Sequence, residues 1–233
     1  MTRAADRDVL RRDLLAATLA QVPFEGWSAR ALAAGARDAG VAMGAARRAF
    51  PRGIADLVAF WGEQGDRRML EMLADIDLDS MRVRERIATL VRLRLEVDAE
   101  HREALRLALG RAMLPGEAPH ALGALWRRVD AMWRAAGDTA TDYNYYTKRG
   151  LLAGVYASTL LYWLDDKSRG SAATWAFLDR RVAEVLKVPR ALGKLKNCLP
   201  DTDVLLRAGG SRTVRGRSRK FGPAPFQRSA SDG

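Results

Sequence analysis

Apolar residues recur along most of this chain at intervals of three and four, the spacing of a helix with one buried face. Alternating apolar and polar runs, the mark of a half-buried strand, are missing. Leu10, Leu14, Ala17 and Leu19 give a first helix, about Arg7–Val22, its apolar side, and Pro23 is expected to end it. Ser28 is placed to cap a short helix through Ala39, Gly40 makes a turn, and a second short helix runs from Ala42 to Phe50 before Pro51. A long helix follows from Ile54 to about Ala74. Another begins near Asp79 or Ser80, carries Ile87, Leu90, Val91 and Leu95 on one side, and breaks near Asp98. The next spans Arg102–Met113, and Pro115-Gly116 turns the chain. Leu122, Leu125, Trp126, Val129, Met132 and Trp133 fall at helical spacing up to Ala136, where Gly137 stops the helix. Asp142 is placed to cap a helix that runs to Leu164, and Thr174 to cap a last one striped by Trp175, Leu178, Val182 and Val185.

The pattern predicts an all-α protein in three segments. Residues 1–53 hold a helix, a short helix, a turn and another short helix, which is a helix-turn-helix layout. Residues 54–188 form the main helical body. Residues 189–233, with Gly209-Gly210, Pro223, Pro225 and scattered arginines, read as a disordered basic tail.

Within the body, GLLAGVYASTLLYWL (150–164) is uncharged and apolar nearly all round. Such a helix is buried in a core or faces lipid or ligand. Gly150, Ala153, Gly154, Ala157 and Ser158 make one broad side small, open to close approach by a helix or a flat ligand. The segment before it, Asp142-Tyr143-Asn144-Tyr145-Tyr146-Thr147-Lys148-Arg149, concentrates tyrosines and cations. It reads either as an amphipathic first turn or as a partner-binding patch, because Tyr and Arg dominate interface hot spots.

Composition narrows the chemistry. The chain has 233 residues, 48% of them hydrophobic and 29% charged, so it can bury a sizeable core. The single cysteine, Cys198, excludes an internal disulfide framework. No uncharged run reaches the roughly 18 residues of a membrane span. The start has acids among its arginines and no apolar region, so neither a secretory signal nor a clear transit peptide is read there. The net charge is +11, and Arg207, Arg212, Arg215, Arg217, Arg219, Lys220 and Arg228 against Asp232 supply more than half of it. That tail attracts polyanions without selecting one.

Two carboxylate-x-x-His elements, Asp98 to His101 and Glu117 to His120, evoke the ligand pairs of di-iron bundles. Pro119 interrupts the second and a helix break unsettles the first, so a metal site is not expected. No His stands beside a candidate Ser or Cys nucleophile, and no glycine-rich phosphate loop follows a strand.

Two stretches carry family resemblances. GVAMGAARRAFPRGIADLVAFW (40–61) resembles the tetracycline-repressor pattern. In that family the second short helix opens with a capping Ser or Thr and carries a phosphate-contacting Tyr. Here those positions are Ala42 and Arg47, and Gly53 replaces a usually basic residue. Met43, Gly44, Ala45 and Ala46 offer almost no base-reading groups, although Arg47, Arg48 and Arg52 could hold phosphate. The helix-turn-helix is therefore read as degenerate, and sequence-specific DNA binding is not expected.

AGDTATDYNYYTKRGLLAGVYASTLLYWL (136–164) with TWAFLDRRV (174–182) resembles the ubiquinone-biosynthesis accessory proteins of the Coq nine family, and more weakly so does the stretch from Arg11 to Lys187. The resemblance implies a tetracycline-repressor-like bundle, dimerising through its last two main helices. It implies a non-catalytic protein that binds a polyprenylated quinone intermediate and presents it to the demethoxyubiquinone hydroxylase. No cofactor is expected, and a bound isoprenoid or phospholipid is. The lipid-binding candidates are Met113, Trp126, Val129, Met132, Trp133, Leu152, Val155, Tyr156, Thr159, Leu160 and Trp163. The docking candidates are Asp142, Tyr145, Tyr146, Lys148 and Arg149, with Tyr145 standing where many members have Trp. A cytoplasmic protein held peripherally at the inner membrane is expected, with ALGKLKNCLPDTDVLLRAGG (191–210) as a poor candidate for the family's interfacial helix, since Pro200, Asp201 and Asp203 interrupt it. The alternatives left open are a ligand-responsive DNA-binding regulator and an enzyme acting on a lipid.

Overall fold

The structure, a computed structural model, describes residues 2–138 and 143–185, with side chains from residue 5 and, after the gap, from residue 145. Asp142 and the 189–233 tail, with Cys198 and its interfacial-helix candidate, lie outside the described residues. Those described form nine α-helices: α1 Thr2–Glu25, α2 Ala29–Asp38, α3 Met43–Ala49, α4 Ile54–Leu73, α5 Val83–Val97, α6 Arg102–Ala112, α7 Ala118–Ala135, α8 Tyr143–Asp165 and α9 Ala172–Val185. Short 3-10 turns at Ala99–His101 and Arg169–Ser171 precede α6 and α9.

The predicted punctuation holds at most joints. The Ser28 hydroxyl accepts the Ala31 N–H at 3.2 Å and caps α2. Gly137 ends α7 at φ +90°, a conformation that glycine adopts without strain. Two expectations, at Pro23 and at Thr174, are corrected. Pro23 does not end α1 but sits in its last turn; the Gly26 N–H still reaches the Val22 carbonyl at 2.8 Å, and the chain turns at Gly26. α7 starts at Ala118, with Pro119 in its first turn, where no backbone donor is needed. Thr174 does not cap α9 from outside. It is the third residue of the helix, and both its N–H and its hydroxyl donate to the Asp166 carboxylate, at 3.0 and 2.5 Å.

α1, α2 and α3 pack with the start of α4 around Leu14, Val22, Phe50, Leu57 and Phe60. Gly35 lets α2 press on α1: a Cβ there would stand 2.7 Å from Thr18 backbone atoms. The Trp27 indole N–H donates to the Ala104 carbonyl at 2.8 Å and ties this subdomain to α6. A second core gathers Met69 of α4, Leu90 and Leu95 of α5, Met132 of α7, Trp163 of α8 and Leu178 of α9. The packing seam therefore falls inside α4, which serves both cores. No helix among the described residues is long and apolar enough to cross a membrane.

Candidate functional site

α8 buries Leu152, Val155, Tyr156, Thr159, Leu160 and Trp163 along one face, as a three-four spacing requires. Val129, Met132 and Trp133 of α7 are buried in the same cluster. Polar atoms on these side chains are satisfied locally. The Thr159 hydroxyl donates to the Val155 carbonyl at 2.7 Å, and the Trp133 indole to the Lys148 carbonyl at 3.0 Å. Arg128 donates to the Tyr156 hydroxyl at 3.2 Å. Nine of the eleven lipid-binding candidates thus come together, but as a packed core and not as the walls of an open cavity. The same aromatics that suit a greasy ligand here fill the space themselves.

The other two candidates go elsewhere. Met113, at the end of α6, is 76% exposed and joins no core. Trp126 shares a face of α7 with Asp130, four residues on, and meets the start of α8: its ring lies 6.4 Å from that of Tyr145 and 6.2 Å from that of Tyr146. It belongs with the tyrosine segment. Two clefts lie outside the α7–α8 core. One, of about 270 Å³, touches α1, α4 and the end of α5. The other, of about 430 Å³, lies between Leu70 of α4 and the Arg127–Ala135 stretch of α7.

The tyrosine segment divides in two. Tyr146 is 65% exposed and stands against Tyr145, ring centroids 5.1 Å apart. Arg149, expected in a surface patch, is 1% exposed. It turns inward because acids wait for it: its Nε meets Asp130 at 2.6 Å, its Nη1 meets Asp138 at 3.2 Å, and its guanidinium lies 3.5 Å from the Tyr145 ring. Lys148 pairs with Asp138 at 2.6 Å. The Tyr145 hydroxyl donates to Asp130 at 3.1 Å. Arg149 is therefore the clamp that holds the aromatic face in place, and Tyr146 is the part a partner could touch.

A buried charge network escaped the sequence reading. Arg94 of α5 reaches Asp66 of α4 at 2.7 Å and Asp98 at 2.5 Å, while Arg128 of α7 also reaches Asp66 at 2.5 Å. Gly65 makes room for it, since a Cβ there would stand 2.6 Å from the Arg94 guanidinium. Burial alone would weaken the charge of Arg94, but Tyr156, Asp98 and Asp66 more than restore it and hold it above the ordinary arginine value. Only the carboxylate-arginine composition of the segment hinted at this; helical periodicity marks Arg94 as merely one more polar position.

The carboxylates of the metal-like motifs have other partners. Asp98 is held by Arg94, and Glu117 pairs with Arg111. Among the described residues no three His, Cys, Asp or Glu side chains gather as a metal site. On α3, no side chain caps the helix at Ala42, and the exposed positions are Gly44, Arg47 and Arg48. Arg52 is engaged by Asp56 at 2.7 Å.

Residues 118–189, which contain α7, α8 and α9, match the family model COQ9. The chain carries a COQ9 domain. Homology extends well beyond it. The human "Ubiquinone biosynthesis protein COQ9, mitochondrial" is 32% identical over 195 residues, which is 81% of this chain and 61% of that protein. COQ9-B of Xenopus laevis is 34% identical over 190 residues, 78% of this chain and 64% of that protein. The Drosophila melanogaster COQ9 is 31% identical over 196 residues, 82% and 60%. The chain thus spans about three-fifths of the length of these COQ9 relatives. Among solved structures, a TetR transcriptional regulator from Nitrosomonas europaea ATCC 19718 superimposes with a TM-score of 0.64 at 21% identity, covering 76% of this chain and 98% of that one. At that identity the likeness is one of fold, and the fold is the tetracycline-repressor-like all-α bundle that the sequence predicts.

Proposed function

We propose that this COQ9-domain chain serves ubiquinone biosynthesis as an accessory protein without chemistry of its own. It holds a polyprenylated quinone intermediate and presents it to a partner hydroxylase, the demethoxyubiquinone hydroxylase that the family resemblance implies. The observation that carries the reading is a coincidence of place: the COQ9-matching residues 118–189 include both the apolar face of α8 and the Trp126–Tyr145–Tyr146 aromatic face. Loading a lipid requires Trp133, Tyr156 and Leu160 to part, since these side chains are buried in one core. Docking uses the exposed Tyr146 on a base fixed by Arg149.

The protein acts as a homodimer attached peripherally to the inner membrane. The open sides of Gly150 and Gly154, where an added Cβ would meet nothing within 4 Å, and the stacked Tyr162–Phe177 pair, ring centroids 4.7 Å apart, support pairing through α8 and α9. The test is genetic and biochemical together. Deletion in the native host is expected to lower ubiquinone and accumulate a polyprenylated precursor, and the hydroxylase is expected to co-purify with the tagged protein. Unchanged quinone levels with no hydroxylase captured would overturn the proposal.

A further inference from the structure

The joint between α6 and α7 inverts the usual order of a protein surface. Residues 112–126, AMLPGEAPHALGALW, hold one charged side chain, Glu117, in a chain of which 29% is charged. That charge is turned aside: Glu117 pairs with Arg111, and both side chains are mostly buried. The apolar side chains are the ones left out. Met113, Leu114 and Leu122 are 76%, 52% and 66% exposed, and Pro115 and Pro119 are exposed beside them. Single exposed apolar residues are ordinary, but a group of them with its charge hidden marks an interaction site.

The backbone gathers the group at one end of the α6–α7 pair. The Glu117 and Ala118 N–H groups both donate to the Leu114 carbonyl, at 2.9 and 3.1 Å, which closes the turn. Leu122 stands one helical turn beyond Ala118, on the same side of α7. A cation sits at the rim. Arg127 is exposed and makes no ion pair among the described residues. Its Nη1 lies 3.5 Å from where a Cβ on Gly123 would stand, so the guanidinium is laid back along α7 toward the turn. Apart from His120, the exposed side chains between 113 and 122 offer no hydrogen bond. A protein interface carries about one hydrogen bond per 100–200 Å². A lipid surface demands none from an inserted side chain, and its phosphates match a rim arginine.

We propose that the α6–α7 turn is a membrane-contact element. Met113, Leu114 and Leu122 enter the boundary between headgroups and acyl chains of a bilayer that contains anionic phospholipid, and Arg127 meets its phosphates. The inference rests on the peripheral attachment proposed above and names the part of the helical body that meets the lipid. Binding at such a boundary combines apolar area with attraction to anionic lipid. The turn supplies the first, and Arg127 with the basic residues from Arg207 onward supplies the second.

The test uses the full chain and vesicles of phosphatidylcholine with phosphatidylglycerol. An environment-sensitive fluorophore is attached through Met113→Cys, in a Cys198→Ser background, and through Ser80→Cys as a control. Ser80 is exposed near the opposite end of α7, where Arg86 donates to the Ala136 carbonyl at 3.2 Å and the Asp79 carbonyl at 3.4 Å. The 18 residues of α7 put that end about 27 Å from the turn. On bound protein the probe at 113 is expected to emit at shorter wavelength and to be quenched by nitroxides on the acyl chains, while the probe at 80 stays in water. Leu114→Glu with Leu122→Glu is expected to weaken vesicle binding by about tenfold or more, in salt that screens the basic residues, with Tm unchanged because both side chains are exposed. Arg127→Gln is expected to lower affinity for the mixed vesicles about fivefold and to leave binding to phosphatidylcholine alone unchanged. A probe at 113 that stays in water on vesicle-bound protein would overturn this inference alone, as would a glutamate variant that binds vesicles normally but no longer captures the hydroxylase. A full chain that binds neither kind of vesicle would overturn it together with peripheral attachment.

Discussion

Replacing Arg94 with Met tests the charge network that joins α4, α5 and α7. Arg94 and Asp98 side chains are each 3% exposed, and Asp66 is 23% exposed. After the substitution Asp66 keeps Arg128 at 2.5 Å, but Asp98 loses the arginine that holds it. Removing one partner of a buried pair costs about 3–5 kcal/mol, chiefly by leaving the other charge uncompensated. Asp98 lines a cleft and can relax toward water, so the lower figure, about 3 kcal/mol, is expected. Met fills the arginine stem, which keeps the cavity contribution small. For a domain of this size each kcal/mol moves Tm by about 2–4 °C, giving a fall of about 6–12 °C. Adding Asp98→Leu removes the stranded carboxylate and is expected to recover at least half of the loss, since apolar replacement of a whole buried pair is often neutral. Circular dichroism during heating and in urea, at low and at high salt, measures both. A loss below about 1 kcal/mol, or one that high salt erases, would mean a solvated surface pair and refute the reasoning.

Gly35→Ala is expected to destabilise by about 1–3 kcal/mol through overpacking, because the new Cβ would stand 2.5 Å from the Thr18 hydroxyl and 2.7 Å from its backbone; chemical denaturation reads this, and an unchanged midpoint would deny the close α1–α2 crossing. Hydrogen bonds from Thr174 and then Ser168 hold the Asp166 carboxyl well below the usual aspartate range. Its folded pKa is depressed, so its contribution is full above about pH 4 and is lost as pH falls through the folded value. Asp166→Asn is therefore expected to lower Tm at neutral pH, with the gap to the unsubstituted protein closing in acid; a pH-independent gap would contradict the assignment. Tyr146→Ala is expected to leave stability within about 0.5 kcal/mol while weakening hydroxylase binding at least tenfold, the scale of an interface hot spot; surface plasmon resonance with the purified enzyme checks it, and unchanged affinity would move the docking face elsewhere.

Much of this fold is legible in the sequence because its helices advertise themselves twice, by a three-four apolar stripe and by a terminating residue. Ser28, Gly40 and Gly137 each mark a joint that is where the pattern puts it. Several of the errors fall where a distant group supplies the cap or the partner. Thr174 reads as a cap, but the acceptor is Asp166, eight residues back in a preceding turn. Arg149 reads as surface because it follows Lys148, yet Asp130 and Asp138 draw it inside. Trp126 and Trp133 share one stripe, and only the tertiary arrangement sends the first to the tyrosines and the second into the core. The apolar face of α8 is written plainly in its residues. Whether such a face lines a cavity or closes on itself is decided by the neighbours it meets, and here α7 fills the gap with Val129, Met132 and Trp133.

The central claim is that this chain carries an isoprenoid lipid, and native mass spectrometry with organic extraction of protein purified from quinone-producing cells tests it most directly. An isoprenoid quinone or quinone precursor is expected to co-purify, and to be depleted when Trp133, Tyr156 or Leu160 is replaced by a folded variant of altered size. Protein that emerges free of lipid, and takes up none from quinone-loaded vesicles, would contradict the account.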